Sequence, residues 1–205
     1  MIFLPYALDA RRTGWPVVTV LVMLACIWVF REQVYRDEQF QTRAGGFCRA
    51  QLEWVTKERV MEIARANGFS DCVPFFEYLR SLKPTPVQLR ELVHKAAPLG
   101  VFADATQDRD YQERLLEAEL DRYLTLVPEA LTERLAYDPH APDWKRMLTS
   151  TLSHGSWSHI LGNLLFFYIF ASALETILGT LVFSCFLLLS TVATNLAYTL
   201  ATRNL

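Results

Sequence analysis

His159 and Asn163 are polar side chains that stand four residues apart inside a long uncharged and largely apolar stretch. On an α-helix this spacing places both side chains on one face, about one turn apart. Both can donate hydrogen bonds in their neutral forms, and aligned donors in a dry site stabilise an oxyanion. The competing interpretation is that the two side chains only form hydrogen bonds to neighbouring helices. Their spacing leaves both interpretations open.

The surrounding segment has the composition of a membrane span. From Met147 to Leu174 there is no formally charged residue. Polar side chains are costly inside such a segment, so they usually mark a functional site. Small residues that would let a neighbouring helix approach closely also occur beside the pair, namely Gly155, Ser158 and Gly162.

With these residues the segment resembles the rhomboid family of intramembrane serine proteases. The second transmembrane helix of that family carries His-x4-His-x3-Asn, then a Glu twelve residues after the Asn and a Gly four residues later. The matching positions here are His154, His159, Asn163, Glu175 and Gly179. The Leu-Thr-Ser and His-Gly-Ser-Trp strings before the helix also resemble the family. The resemblance covers roughly Leu135 to the C-terminus, together with the first membrane segment.

The resemblance implies a role for each matched residue. His159 and Asn163 would be the oxyanion-hole donors, and His154 would be a structural histidine beside them. Arg146 would take the place of the family's loop arginine, although Lys145 separates it here from Trp144. Glu175 and Gly179 would be structural residues near the site. No cofactor is implied.

The family's nucleophile and base do not occur in these 205 residues. The nucleophile is the Ser of a Gly-x-Ser-Gly motif on the fourth transmembrane helix, and the base is a His on the sixth. The sequence has no Gly-x-Ser-Gly, and no histidine follows His159. A base-activated serine is needed to form an acyl-enzyme. We therefore expect this chain alone to be inactive, with the C-terminal transmembrane helices missing.

The resemblance implies a serine-type endopeptidase that cleaves single-span membrane proteins near the outer face of the membrane. One alternative is a catalytically inactive rhomboid-like membrane protein that binds transmembrane helices. A third possibility, outside the family, is a small three-span membrane protein whose soluble domain carries the function. Only the first two explain the joint spacing of the five matched residues.

Composition excludes several other classes of function. The net charge of −2 argues against a nucleic-acid partner. There is no Gly-rich phosphate loop and no Cys/His metal pattern, and His154 and His159 are five apart, on different sides of a helix. The sequence therefore predicts no metal site. The predicted fold class is an all-α membrane protein, a partial rhomboid-type bundle of three transmembrane helices with a helical soluble insertion.

The chain divides into four predicted segments. Residues 1–13 form a cytoplasmic N-terminal segment and residues 14–33 the first transmembrane helix, for which a cleaved signal peptide is the alternative. Residues 34–145 form a helical extracytoplasmic domain. Residues 146–205 form the rhomboid-like segment, with helices at about 158–178 and 181–200. Arg11 and Arg12 favour a cytoplasmic N-terminus, and we expect a multi-pass protein of the bacterial inner membrane, in contact with the lipid bilayer.

Within the predicted soluble domain the apolar residues recur at helical spacing. They are Leu52, Val55, Val60 and Ile63; then Phe75, Phe76, Leu79 and Leu82; then Leu89, Leu92 and Val93; and finally Tyr111, Leu115, Ala118 and Leu124. Gly68 is the predicted end of the first of these helices, and Pro86 the first position of the third. Cys48 and Cys72 would form a disulfide in an oxidising compartment or remain two buried thiols.

Overall fold

The computed structural model of the chain describes residues 15–52, 54–98, 100, 102 and 104–202. Within these residues the chain forms helices and no β-strand, which confirms the predicted all-α class. The α-helices are α1 (Val17–Gly46), α2 (Trp54–Ala66), α3 (Cys72–Leu82), α4 (Pro86–His94), α5 (Ala105–Leu126), α6 (Leu131–Leu135), α7 (Trp144–Thr149), α8 (Trp157–Leu178) and α9 (Thr180–Thr202). A π-helical segment, Phe47–Gln51, continues α1, and a 3-10 turn, Ser150–Leu152, follows α7. The predicted segment 1–13 lies outside the described residues.

Among the described helices, α1, α8 and α9 are long and apolar enough to cross a membrane. Helix α1 has 30 residues. At about 1.5 Å per residue it is about 45 Å long, whereas the hydrocarbon core of a bilayer is about 30 Å thick. Helix α1 is therefore longer than a membrane span requires, and its polar C-terminal half begins at Arg31.

The chain forms two compact units, and α1 contributes to both. The first unit combines Met1–Asp37 with Ala130–Leu205, and the second is Glu38–Glu129. The second unit lies inside the interval 34–145 that was predicted to be soluble. The rest of that interval, from Ala130 to residue 145, belongs to the first unit together with α8 and α9.

Local capping signals define the helices of the second unit. Asp71 accepts a hydrogen bond from the Cys72 N–H at the start of α3. Thr85 and Gln88 form a reciprocal capping box at the start of α4, with Pro86 as its first residue. After α2, Gly68 has a φ of +86°, which glycine adopts without steric cost. The predicted helix boundaries at Gly68 and Pro86 are thus confirmed.

Aromatic side chains form the core of the second unit. Tyr123 from α5 stacks on Phe76 from α3 at a centroid distance of 4.8 Å, and Phe47 meets both rings edge-on. All three side chains are fully buried. A disulfide joins Cys48 to Cys72 across the same region, with their Cα atoms 6.0 Å apart.

In the first unit, α1 and α8 pack antiparallel. Cys26 and Phe30 of α1 form a buried cluster with Ile160 near the start of α8. At the other end of α8, the Glu175 carboxylate accepts hydrogen bonds from the backbone N–H groups of Val18 and Thr19, each at 2.9 Å. The first turn of α1 therefore lies beside the last turn of α8.

Helix α9 follows α8 after the single residue Gly179, and the two helices pack against each other. Helix α9 also contacts the segment that precedes α8. Its Asn195 side chain donates to the Met147 carbonyl of α7 at 3.1 Å, and its Thr199 hydroxyl is hydrogen-bonded to the Tyr137 hydroxyl. Asn195 thus fixes α7 to a membrane-length helix.

Candidate active site

His154 is the buried member of the predicted site. It lies just before α8, and its side chain is 8% exposed. Its Nδ1 is 3.1 Å from the Leu152 carbonyl oxygen. A carbonyl can only accept, so Nδ1 carries the proton and, in the neutral ring, the lone pair is on Nε2. The Phe30 ring packs edge-on against this imidazole at a centroid distance of 6.4 Å.

His159 lies in the first turn of α8, next to His154. The two imidazole rings meet edge-on with centroids 5.8 Å apart. Ser156 is the N-cap of the helix, and its hydroxyl accepts a hydrogen bond from the His159 backbone N–H at 3.2 Å. The cap fixes where α8 begins, and with it the position of His159 beside His154.

Asn163 follows His159 on the same face of α8, one turn further along. Both side chains are exposed. The same face continues with the rings of Phe166 and Phe170, which stack at 6.5 Å and are also exposed. The structure thus joins a polar pair to an apolar stripe on one uncovered face of a membrane-length helix.

Arg146 occupies a different place. It lies in α7 and is half-buried. Its neighbour Lys145 places its Nζ 5.8 Å from the centre of the exposed Trp144 ring. The Met147 carbonyl of the same helix accepts a hydrogen bond from the Asn195 side chain of α9. Among the described contacts none joins the Arg146 side chain to the two histidines, and its place near the site stays a prediction.

Glu175 and Gly179 lie at the other end of α8 from the polar pair. The Glu175 side chain is 3% exposed, and its two oxygens accept from the Val18 N–H, the Thr19 N–H and the Thr19 hydroxyl. These donors belong to the first turn of α1, where the helix dipole favours a carboxylate. Gly179 ends α8 with a φ of +77° and a ψ of 156°. Both residues shape the bundle and are remote from the pair.

Two α1 residues that hold the His154 region were not predicted from the sequence. Gln33 is 2% exposed and contacts the His154 backbone N–H, and Asp37 accepts from the N–H groups of Leu131 and Thr132 at the start of α6. Both follow directly after the apolar half of α1. Their spacing of four residues, which places them on one helix face, was the available signal.

No group of three or more His, Cys, Asp or Glu side chains able to hold a metal ion occurs within the described part of the chain. At the start of α8 the His159 imidazole and the Asn163 amide are hydrogen-bond donors in their neutral forms, whereas the ring proton of neutral His154 is held by the Leu152 carbonyl. Such a pair of donors suits the stabilisation of a negative charge on a substrate oxygen.

The helical composition and the three apolar helices define an all-α integral membrane protein, whose apolar helices contact the lipid bilayer. Residues 141–205, the C-terminal third of the chain, match the sequence model of the Rhomboid domain. No curated protein matches the chain. No solved structure matches it either. The match contains α7, α8 and α9, and with them His154, His159 and Asn163.

Proposed function

We propose that this chain supplies the oxyanion-binding part of a rhomboid intramembrane serine endopeptidase. The observation that carries the proposal is the contact between His154 and His159 at the start of α8, with Asn163 one turn further, inside the segment that matches the Rhomboid domain. In this proposal His159 and Asn163 donate hydrogen bonds to the tetrahedral oxyanion, and His154 holds the His159 ring in place.

The uncovered face of α8 supports this assignment. An exposed imidazole and amide are costly in contact with lipid, because hydrocarbon offers them no hydrogen-bond partner. We therefore propose that further transmembrane helices cover this face in the active protease. Those helices would carry the nucleophilic serine and the base histidine, neither of which these 205 residues contain. The covered groove would be the site where a single-span substrate is cut.

Two features support the orientation that we propose for the chain in the membrane. Arg11 and Arg12 precede the first apolar helix and favour a cytoplasmic N-terminus. The disulfide between Cys48 and Cys72 favours an oxidising compartment for the unit Glu38–Glu129. We propose that this unit faces the periplasm of a bacterium, with the start of α8 near the same side of the inner membrane.

The proposal is tested by complementation. The chain is reconstituted in liposomes with a single-span reporter substrate, with or without a second polypeptide that carries the serine- and histidine-bearing helices of an active rhomboid. We expect neither reporter cleavage nor labelling by a fluorophosphonate probe without the second polypeptide, and both with it. Specific labelling of the 205-residue chain alone at a serine would contradict the assignment.

A binding role without cleavage is the second candidate, and the exposed stripe formed by Phe166 and Phe170 favours it. An apolar face with a polar end can bind a transmembrane helix that has a matching polar residue. Crosslinking distinguishes the two candidates. A binding protein would capture the reporter on this face and leave it intact even with the complementing helices present, whereas the protease would release two fragments.

A further inference from the structure

The side-chain amide of Gln33 is buried at the junction of three segments. Its Nε2 donates to the hydroxyls of Thr132 and Ser153, each at 3.0 Å. Its Oε1 accepts from the backbone N–H of His154 at 3.2 Å. With a side chain only 2% exposed, the amide finds its partners in the protein. A buried amide with every contact made is held in one orientation.

The orientation of that amide is determined by its neighbours. The Thr132 hydroxyl donates to the Asp37 carboxylate, so towards Gln33 it can only accept. The His154 N–H can only donate. Gln33 must therefore place its NH₂ towards Thr132 and its oxygen towards His154. Asp37 and Gln33 lie on one face of α1, so residues of that helix determine the orientation of the Gln33 amide.

The contact continues from the His154 backbone to its ring. With its N–H held by Gln33, the residue keeps its Nδ1 on the Leu152 carbonyl. That bond selects the Nδ1–H tautomer and fixes the plane of the ring. The fixed ring lies edge-on against His159, 5.8 Å away. A chain of contacts thus runs from α1 to the polar pair of α8.

We propose that Gln33 is a positioning residue for the oxyanion donors. It acts through His154, whose backbone it holds and whose ring in turn limits the rotation of His159. A catalytic role for Gln33 rests on the proposed function, because the donors that this α1 residue positions act only in that reaction. The contacts by which Gln33 holds the His154 backbone and ring do not depend on whether the protein cleaves a substrate.

The test is nitrogen NMR of the histidine rings in the 205-residue chain, in lipid nanodiscs at a fixed pH. Gln33→Met keeps the length of the side chain and removes all three polar contacts. Gln41→Met, an exposed glutamine on the same helix, is the matched control. His94 in α4 belongs to the other compact unit and serves as an internal reference. Thr132→Val is a milder variant that removes the Asp37 link without contacting His154.

In the wild type and in Gln41→Met we expect one Nδ1–H tautomer for His154. In Gln33→Met we expect a mixture of tautomers for His154 and shifted ring signals for His159, with His94 unchanged. Thr132→Val should change the same two residues in the same direction by a smaller amount, and it decides the question if Gln33→Met does not fold. Unchanged signals of His154 and His159 in either folded variant would overturn the inference, as would an equal shift of His94.

This result is separable from the fate of the proposed function. If complementation yields no cleavage while the His154 tautomer still responds to Gln33→Met, the protease assignment fails and the positioning contact stands. If cleavage occurs while the tautomer does not respond, the positioning role fails alone. Where both hold, Gln33→Met should lower kcat of the complemented enzyme by about 10-fold with KM unchanged, because the affected groups act in the transition state.

Discussion

Replacing Glu175 by alanine should destabilise the first unit strongly. The carboxylate accepts from the Val18 N–H at 2.9 Å, the Thr19 N–H at 2.9 Å and the Thr19 hydroxyl at 2.8 Å. In Glu175→Ala the two backbone donors lose their partner inside an apolar layer. Each buried unsatisfied group costs about 1–3 kcal/mol, so the expected loss is about 2–6 kcal/mol. The Thr19 hydroxyl can turn to its own helix and adds little.

The variants form a graded series. Glu175→Gln keeps one acceptor oxygen and loses the charge that the helix dipole favours, so we expect about 1–3 kcal/mol. Thr19→Val removes the hydroxyl contact alone and should cost about 0.5–1.5 kcal/mol. In the Glu175→Ala background the Thr19 hydroxyl has no carboxylate to bind. Thr19→Val should therefore lower the stability of that background by less than it lowers the stability of the wild type.

The assay is unfolding of the chain in mixed micelles by titration with SDS, followed by tryptophan fluorescence. Thr176→Ala is the matched control, since the Thr176 hydroxyl donates to the Ser172 carbonyl of its own helix. We expect the control to lie within about 0.5 kcal/mol of the wild type. A Glu175→Ala protein as stable as the control, or full additivity with Thr19→Val, would refute the account of this contact.

Three further changes test the backbone of α8 and the core of the second unit. Gly179→Ala should lower stability by about 1–3 kcal/mol, because a φ of +77° is strained for alanine although its Cβ would meet no atom within 4 Å. Gly162→Ala, in mid-helix with equally open space, should raise stability by about 0.5–1 kcal/mol, and SDS titration of both variants checks the opposite signs. Burial and the hydrogen bond to Glu77 raise the pKa of Tyr123, so its protonated form favours the folded state. This stabilisation is complete below the unfolded pKa of about 10 and lost as the pH rises above it. The melting temperature should therefore decline between about pH 9 and about pH 11. Tyr123→Phe should remove this decline, whereas the exposed control Tyr111→Phe should retain it.

The helices and caps were predictable because their signals are local. The apolar run of α8 ends at Gly179, and the Thr85–Pro86 pair opens α4 as its capping chemistry requires. The position of His159 and Asn163 on one face of α8 follows from their spacing alone. Such features depend on residues within one or two turns of each other.

The supporting contacts were not predictable because they join distant parts of the chain. Gln33 and His154 are separated by 121 positions, and Thr19 and Glu175 by 156. Nothing in the local pattern of α1 specifies which hydroxyl, backbone N–H or carboxylate its polar residues will meet. The same holds for Cys48 and Cys72, since sequence does not reveal the distance between two Cα atoms.

The boundary between the two compact units was also beyond local signals. The segment from Ala130 to residue 145 is polar, like the rest of the predicted interval 34–145, yet it belongs to the first unit. Asp37 accepts hydrogen bonds from Leu131 and Thr132, and Tyr137 bonds to Thr199. These contacts, and not composition, group it with the membrane helices.

The most direct measurement is the rate of reporter cleavage by the complemented enzyme with His159→Ala and with Asn163→Ala. Ser172→Ala is the control, because its hydroxyl bonds to the Ile169 carbonyl of its own helix. If the pair holds the oxyanion, each variant should lose about 10²–10³ in kcat at unchanged KM, and Ser172→Ala should keep the wild-type rate. Folded variants of His159 and Asn163 that cleave the reporter at the wild-type rate would contradict this role.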